Sequence, residues 1–151
     1  MSDAPVIALR GVNKTFSRGK ERLEVLNDLD LDIPKGSFEA LMGPSGSGKT
    51  TLLNLIAGLD RPTKGSVEVG GKDIAKLGDS ELSRWRSQNI GFIFQHFNLI
   101  PVLTALENVE LPLLLTNLAS AERKKRATTA LRVVGLEDRM GHRPNQLSGG
   151  Q

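Results

Sequence analysis

The run GPSGSGKT at residues 43–50 constrains the fold more than any other part of this sequence. It matches the pattern G-x-x-x-x-G-K-[ST] in full. The apolar run SFEALM precedes it at residues 37–42, and apolar residues recur after it at helical spacing, namely Leu52, Leu53, Leu55, Ile56 and Leu59. Strand, loop and helix in this order are the context in which the pattern binds phosphate. We therefore predict an α/β fold around a phosphate-binding loop rather than a Gly/Ser-rich surface loop that contains Lys-Thr by chance.

Each residue type in this loop has a physical reason. Gly43, Gly46 and Gly48 let the backbone N–H groups wrap closely around an anion, and the helix that follows adds its positive end. Lys49 would bridge the β- and γ-phosphates, and the Thr50 hydroxyl would ligate Mg²⁺. The predicted ATP-binding residues of the loop are Gly43, Pro44, Ser45, Gly46, Ser47, Gly48, Lys49, Thr50 and Thr51.

Lys49 is expected to matter most among them. A pair of unit charges about 4 Å apart at an effective dielectric of about 20 is worth roughly 4 kcal/mol. A helix terminus contributes only about 0.3–1 kcal/mol. Loss of the Lys49 ammonium should therefore be the most damaging single change in the loop.

Composition places the chain in a broad class. With 151 residues, 38% hydrophobic and 25% charged, it has the size and composition of one globular domain. It has no cysteine, which excludes disulfides and thiolate metal sites and favours a reducing compartment. No stretch approaches the roughly 18 consecutive apolar residues of a membrane helix. The net charge of +3 comes with only 4% aromatic residues, so a nucleic-acid partner is not expected.

The pattern of apolar residues predicts two successive regions. Residues 6–12 and 29–33 alternate as antiparallel strands do, residues 66–69 form a short strand before a Gly70-Gly71 reversal, and Gly58 ends the helix after the glycine loop. Residues 90–94, IGFIF, read as a strand buried on both faces. Helices are predicted over residues 79–88, over 105–115 capped by Thr104, and over 121–134 capped by Ser120 and stopped by Gly135.

Two further residues are candidates for the nucleotide site. Gln95 ends the predicted strand IGFIF, where a polar side chain can face a ligand or simply finish a strand. Phe16 is predicted to follow the first strand, where it would stack on a purine, a contact worth about 1–3 kcal/mol, or belong to the core.

Together these segments resemble the ATP-binding subunit of ABC transporters over the whole length from ALRGVNKTF, residues 8–16, to LSGGQ, residues 147–151. GPSGSGKTT is similar to the Walker A motif of that family, FQHFNLIP to its Q-loop and LSGGQ to its signature motif. Phe16 falls where the family places an aromatic residue that stacks on adenine. Residues 91–115 and 134–151 look most like the lipoprotein-release and macrolide-export branch.

The resemblance implies a P-loop NTPase with a RecA-like core, an antiparallel β-subdomain and a helical subdomain. Residues 1–95 would hold the β-subdomain and the P-loop core, and residues 96–151 the Q-loop and the helical subdomain. The implied activity is ATP hydrolysis with Mg²⁺, in which Lys49 and Gln95 act in catalysis and Thr50 and Gln95 bind the metal.

It also implies partners. Two such subunits would form a head-to-tail homodimer in which the signature motif of each acts on ATP held by the other; its residues are Leu147, Ser148, Gly149, Gly150 and Gln151. A membrane-spanning permease subunit would bind the helical segment. The protein would then be cytoplasmic and peripheral on the inner face of the cell membrane.

The family continues after LSGGQ into a helix, the Walker B aspartate, a catalytic glutamate and a switch histidine. His96 and His142 do not lie at the switch position, and the other groups do not occur in these 151 residues. We expect the fold to be incomplete at its C terminus, these residues alone to catalyse no useful turnover, and unpaired sheet edges and apolar surface to be exposed. A truncated nucleotide-binding fragment and a non-transport ABC-type ATPase acting on DNA or ribosomes remain alternatives.

Overall fold

The structure is a computed structural model that describes residues 4–151, and it divides into two compact units at Phe92/Ile93. The first contains β1 (Ile7–Arg18), β2 (Glu21–Ile33), α1 (Lys49–Ile56), β3 (Lys64–Val69), β4 (Lys72–Asp73), a 3₁₀ turn (Ile74–Lys76) and α2 (Asp79–Asn89). The second contains α3 (Ala105–Glu110), α4 (Ser120–Val133) and 3₁₀ turns at Leu111–Leu115, Glu137–Arg139 and Pro144–Gln146. Within residues 4–151 no helix is both long enough and apolar enough to cross a membrane.

The four strands form one antiparallel sheet in the order β2-β1-β3-β4. The predicted strands at residues 6–12 and 29–33 are confirmed, but both are longer than their alternation suggested. β1 and β2 pair from Ile7 opposite Ile33 to Arg18 opposite Glu21, with register shifts after Leu9. The bulges bend the ribbon, so apolar alternation weakens beyond them although the backbone pairing continues.

The core of the first unit forms where α1 and α2 cover one face of this sheet. Its buried residues are Leu9, Val12, Leu52, Leu55, Ile56, Val67, Ile74, Leu77, Leu82 and Trp85. Leu9 lies opposite Val67 in the sheet, and Leu55 of α1 belongs to the same cluster. Burying a leucine side chain contributes about 1.5–3 kcal/mol. The apolar stripe predicted after the glycine loop therefore anchors α1 to the sheet.

Two glycine signals read from the sequence are confirmed in the first unit. Gly58 ends α1 with φ 65°, and its N–H donates to Leu55 O at 3.1 Å. Gly70 and Gly71, with φ 59° and 77°, join β3 to β4 in a two-residue hairpin. Positive φ at both central residues is what a type I′ turn requires.

Two predicted strands are wrong. Residues 37–42 and 90–94 adopt irregular backbone and are not part of the sheet. Phe38 is 97% exposed, Met42 91% exposed, and Ile93 fully exposed. A strand forms only in a ladder with a neighbouring strand, and neither segment belongs to the four-stranded sheet. The predicted exposure of apolar surface is seen at these residues.

In the second unit the predicted helix after Thr104 begins as expected. The Thr104 hydroxyl accepts a hydrogen bond from Glu107 N–H at 3.3 Å, and the Glu107 carboxylate accepts from Thr104 N–H at 2.7 Å. These reciprocal bonds form a capping box. The helix ends at Glu110 and continues as a 3₁₀ turn, because Pro112 lacks an N–H and cannot continue an α-helix.

The predicted cap of α4 is wrong by one residue. Ser120 is the first helical residue, and the cap position belongs to Ala119, which offers no side-chain hydrogen bond. The predicted stop is confirmed, because Gly135 has φ 73° and its N–H donates to Arg132 O at 3.0 Å. α3 and α4 pack on each other, and Glu110 and Arg123 form an ion pair of 3.5 Å between them.

The closest approach of β1 and β3 gives a test of the sheet. A Cβ on Gly65, whose φ is 88°, would lie 2.4 Å from Gly11 O and 2.6 Å from Arg10 O. Backbone oxygens of a paired strand cannot move aside, so Gly65→Ala should destabilise the first unit by about 2–5 kcal/mol. Gly71→Ala is the control, since its φ is 77° but no atom lies within 4 Å; it should cost only about 1–2 kcal/mol. Urea denaturation followed by circular dichroism measures both, and equal losses would contradict the close approach.

The two helix starts of the second unit give another test. Thr104→Ala removes the hydroxyl that caps α3 but keeps the backbone N–H of the capping box, and it should lower the free energy of unfolding by about 1 kcal/mol. Ser120→Ala removes a hydroxyl that caps nothing and should leave the stability within about 0.5 kcal/mol of the parent. Thermal and urea melts of both variants check this, and a loss at Ser120 as large as that at Thr104 would show the assigned start of α4 to be wrong.

The capping box also predicts a dependence on pH. The Thr104 N–H and then its hydroxyl donate to the Glu107 carboxylate, which lowers the pKa of Glu107 below its ordinary 4.5. A lowered folded-state pKa gives stability that is present above the ordinary value and is lost as pH falls through the folded value. Wild type should therefore be more stable than Glu107→Gln at pH 7, and acid melts should show that difference disappearing well below pH 4.5. A difference independent of pH would exclude the charged carboxylate as its source.

Candidate functional site

The glycine loop is shaped where it enters α1. Gly48 occupies the cap position of α1 with φ 85° and ψ 3°. A Cβ at this position would lie 3.0 Å from a methyl group of Leu26 and 3.2 Å from Val25 O, so β2 lies directly against the loop. Only glycine combines this left-handed backbone with so close an approach. Packing on β2 thus fixes the backbone at Gly48, where the loop joins α1.

The start of α1 offers backbone donors. The N–H of Leu52 makes the first bond of the helix, to Gly48 O at 2.8 Å, and no side chain caps this end. The N–H groups of Lys49, Thr50 and Thr51 therefore have no partner within the helix. Such a helix start, preceded by a glycine-rich loop, attracts phosphate oxygens.

Lys49 folds back over the loop that contains it. Its ammonium group donates to Gly43 O at 2.8 Å, to Pro44 O at 2.7 Å and to Ser47 Oγ at 3.1 Å. The positive charge is thereby held over residues 43–47, which are exposed. The arrangement combines a fixed cation with free backbone donors, as an anionic ligand needs.

The hydroxyl oxygens at the start of α1 are ligands of the kind that a small hard cation binds. Thr50 is exposed in the first turn of α1, and Thr51 beside it is half-buried. Mg²⁺ commonly uses one or two protein oxygens and takes the rest of its six ligands from water and phosphate. Within residues 4–151 no cluster of three or more His, Cys, Asp or Glu side chains could hold a metal ion. The Thr50 hydroxyl beside a phosphate-binding loop fits Mg²⁺ bound together with a nucleotide.

Phe16 does not follow the first strand, as the sequence predicted, but lies within β1 opposite Leu23. The prediction was wrong because β1 continues through its bulges to Arg18. Phe16 is 44% exposed, so the residue keeps surface for a ligand. The ammonium group of Lys14 lies 4.8 Å from the centre of this ring.

Lys14 is the residue that sequence reasoning missed. It is only 9% exposed, and its ammonium forms an ion pair of 2.6 Å with Asp60. The sequence does contain an indication of this. Lys14 comes two residues after Val12 and two before Phe16, which places it on the face of β1 that carries apolar residues. A charge on a buried face requires a partner, which the sequence alone did not reveal.

Gln95 lies in the second unit, in an exposed bend. The premise that it ends a buried strand is wrong, because residues 90–94 form no strand. Nearby, Asn98 adopts a left-handed backbone with φ 51°. The segment around Gln95 is therefore a loop rather than a sheet edge.

Residues 147–151, LSGGQ, form an exposed turn. Ser148 N–H donates to the side-chain oxygen of Gln151 at 2.9 Å, and Gln151 N–H donates back to Ser148 O at 3.0 Å. A cleft of about 320 Å³ lies beside this turn, lined by Phe97, Asn98, Leu99, Pro144, Leu147, Ser148, Gly149 and Gln151. The structure thus brings LSGGQ next to residues 97–99 within the second unit.

The segment that leads into this turn is tied to α3. Ala105 N–H donates to His142 O at 2.8 Å, and Leu106 N–H donates to Met140 O at 3.0 Å. These bonds satisfy donors that a helix start leaves without partners. They hold the segment that precedes LSGGQ against α3, the same short helix whose start is capped by the Thr104 capping box.

Comparison with known proteins identifies the family of this chain. The family model described as ABC transporter matches residues 26–151. The uncharacterized ABC transporter ATP-binding protein YknY of Bacillus subtilis is 50% identical over 146 residues, which are 97% of this chain and 64% of that protein. The macrolide export ATP-binding/permease protein MacB 1/2 of Paracoccus denitrificans is 50% identical over 98% of this chain and 22% of its own length. The chain therefore spans less than two thirds of these relatives.

A solved structure agrees with the sequence relatives. The ATP-binding cassette MJ0796 of Methanocaldococcus jannaschii, in a dimeric post-hydrolysis state bound to ADP and Pi, is 48% identical with a TM-score of 0.83. The match covers 96% of this chain and 64% of that one. This likeness confirms the predicted P-loop NTPase fold class. With a family model that spans most of its length and relatives that are half identical to it, the chain belongs to the ABC transporter family.

Proposed function

We propose that this chain is the ATP-binding, energy-coupling part of an ABC transporter, which drives transport across a membrane by binding and hydrolysing ATP. The observation that carries the proposal is the loop at residues 43–50, where Lys49 lies over a glycine-rich backbone that leads into the uncapped start of α1. The macrolide export relatives support transport as the process that is driven.

The loop would bind the phosphates of ATP. Backbone N–H groups of residues 43–51 would donate to phosphate oxygens, and Lys49 would contact the β- and γ-phosphates. Thr50 and Gln95 would bind Mg²⁺, which neutralises charge on the phosphates when bound. Lys49 and Gln95 are the proposed catalytic residues of this chain, and Phe16 would stack on adenine.

The signature residues would act on a second subunit. Ser148, Gly149 and Gly150 are exposed in the turn that Gln151 closes, with Leu147 half-buried behind them. Exposed N–H groups and a hydroxyl at this turn suit the γ-phosphate of ATP held by a partner in a head-to-tail homodimer. A dimeric state is described for the cassette MJ0796 and supports this arrangement.

The second unit would bind the membrane partner. Leu114 and Leu115, in the 3₁₀ turn after α3, are exposed apolar residues of the kind that bind a protein surface. The relatives named as ATP-binding/permease proteins support a membrane-spanning permease subunit as that partner. We place the protein on the cytoplasmic face of the cell membrane, with residues 1–95 as the nucleotide core and 96–151 as the Q-loop and coupling segment. Residues 1–3 of that core lie outside the described part of the chain.

Replacing Lys49 tests the nucleotide site. Lys49→Ala removes the charge that would face the phosphates, so affinity for ATP with Mg²⁺ should fall by about 1,000-fold, as the loss of roughly 4 kcal/mol requires. Lys35→Ala is the control, because this exposed lysine lies in the turn after β2, in the same unit. Isothermal titration calorimetry measures both affinities. Equal ATP binding by wild type and Lys49→Ala would contradict the proposal.

A further inference from the structure

Lys14 is the charged residue that the structure buries most deeply within residues 4–151. Burying an ammonium group costs free energy unless partners replace its water. Its Nζ atom donates to Asp60 Oδ1 at 2.6 Å and to Arg61 O at 2.8 Å. These two bonds fix the position of the charge.

Asp60 and Arg61 are themselves held by the end of α1. Asp60 N–H donates to Asn54 O at 3.2 Å, and Arg61 N–H donates to the Asp60 carboxylate at 2.7 Å. Arg61 also donates to Ala75 O at 2.8 Å and to Leu77 O at 2.7 Å. The acceptors of Lys14 are thus tied to α1, which begins at Lys49, through Asn54, and to the segment at Ala75 and Leu77 through Arg61.

An aromatic ring also lies beside the ammonium group of Lys14. The Phe16 ring centre lies 4.8 Å from Nζ, within the range of a cation–π contact. Phe16 lies two residues from Lys14 on β1, so both side chains leave the same face of the strand. A cleft of about 540 Å³ opens beside the ring, lined by Phe16, Ser17, Arg18, Glu21, Arg22 and Leu23.

We propose that Lys14, held by Asp60 and Arg61, is a positioning residue that sets the Phe16 ring for stacking on the purine of the nucleotide. The inference rests on the proposed function, because it assumes that Phe16 contacts adenine. Without the fixed cation the half-exposed ring would sample several rotamers, and binding would have to restrict them. Lys14 would therefore affect recognition of the base and leave recognition of the phosphates unchanged.

The test compares two ligands that share phosphates but differ in the base. ATP and inorganic tripolyphosphate, each with Mg²⁺, are titrated by calorimetry into the chain and its variants. Phe16→Ala should weaken ATP binding by about tenfold, the loss expected for one base–aromatic contact. Lys14→Met should weaken it by about 2- to 10-fold, the cost of ordering one side chain on binding, with tripolyphosphate affinity unchanged. Lys64→Met, at an exposed lysine of β3, is the matched control and should change neither affinity.

Two further variants separate positioning from folding. Lys14→Arg keeps a cation beside the ring and should restore ATP affinity to within about twofold of wild type. Asp60→Asn keeps a hydrogen-bond acceptor but removes the charge that fixes Lys14, so it should weaken ATP binding by about two- to threefold. Adding Lys14→Met to Phe16→Ala should cause no further loss, because Lys14 acts through the ring. If Lys14→Met does not fold, Asp60→Asn and its double variant with Phe16→Ala give the same test.

The outcomes distinguish the two proposals. A loss of ATP affinity in Phe16→Ala but none in Lys14→Met or Asp60→Asn overturns the role of Lys14 and leaves the nucleotide site intact. A further loss when Lys14→Met is added to Phe16→Ala, or an equal loss for tripolyphosphate, also overturns it. Wild type that binds neither ligand overturns the proposed function itself.

Discussion

The packing of α1 against the antiparallel sheet is the interaction on which the candidate site depends. Leu52, Leu55 and Ile56 bury one face of this helix in the core, so its first turn has a fixed position. Gly48 then places the loop so close to β2 that no side chain fits between them. A phosphate-binding loop needs preorganised donors, because donors that must first be ordered lose binding free energy. The core thus gives the first turn of α1 a fixed position, which the eight-residue motif cannot provide alone.

The sequence predicted the parts of the fold that depend on near neighbours. The Gly70-Gly71 turn, the stop at Gly58 and the Thr104 capping box each need only a few adjacent residues, and all three are confirmed. Residues 37–42 and 90–94 also carry apolar runs but are not strands of the sheet, because a strand depends on a ladder with a second strand that is distant in sequence. An apolar run indicates that a segment tends to be buried. It does not indicate whether the segment pairs with another strand.

The same distinction separates what the sequence showed of the site from what it did not. Residues 43–50 are contiguous, so their pattern alone predicted a loop followed by a helix start. Lys14 and Asp60 are 46 residues apart, and only the fold brings their side chains to 2.6 Å. The sequence predicts Phe16 beyond the end of its strand because the bulges of β1 interrupt the apolar alternation. The pairing with β2 nevertheless continues past Phe16.

The contacts of Lys49 explain how a loop rich in free donors can also hold a cation. Two carbonyls and a hydroxyl now accept from its ammonium group, and each such bond contributes only about 1.5–3 kcal/mol even with a charged donor. Phosphate oxygens carry full negative charge, so exchanging these neutral acceptors for them gains Coulomb energy of roughly 4 kcal/mol for one charge pair. Because Lys49 is already held over the loop, little side-chain entropy remains to be lost on that exchange. Three such bonds together are worth at least as much as one charge pair, so the resting contacts of Lys49 compete with the phosphates for its ammonium group, and what they lower is the entropic cost of binding.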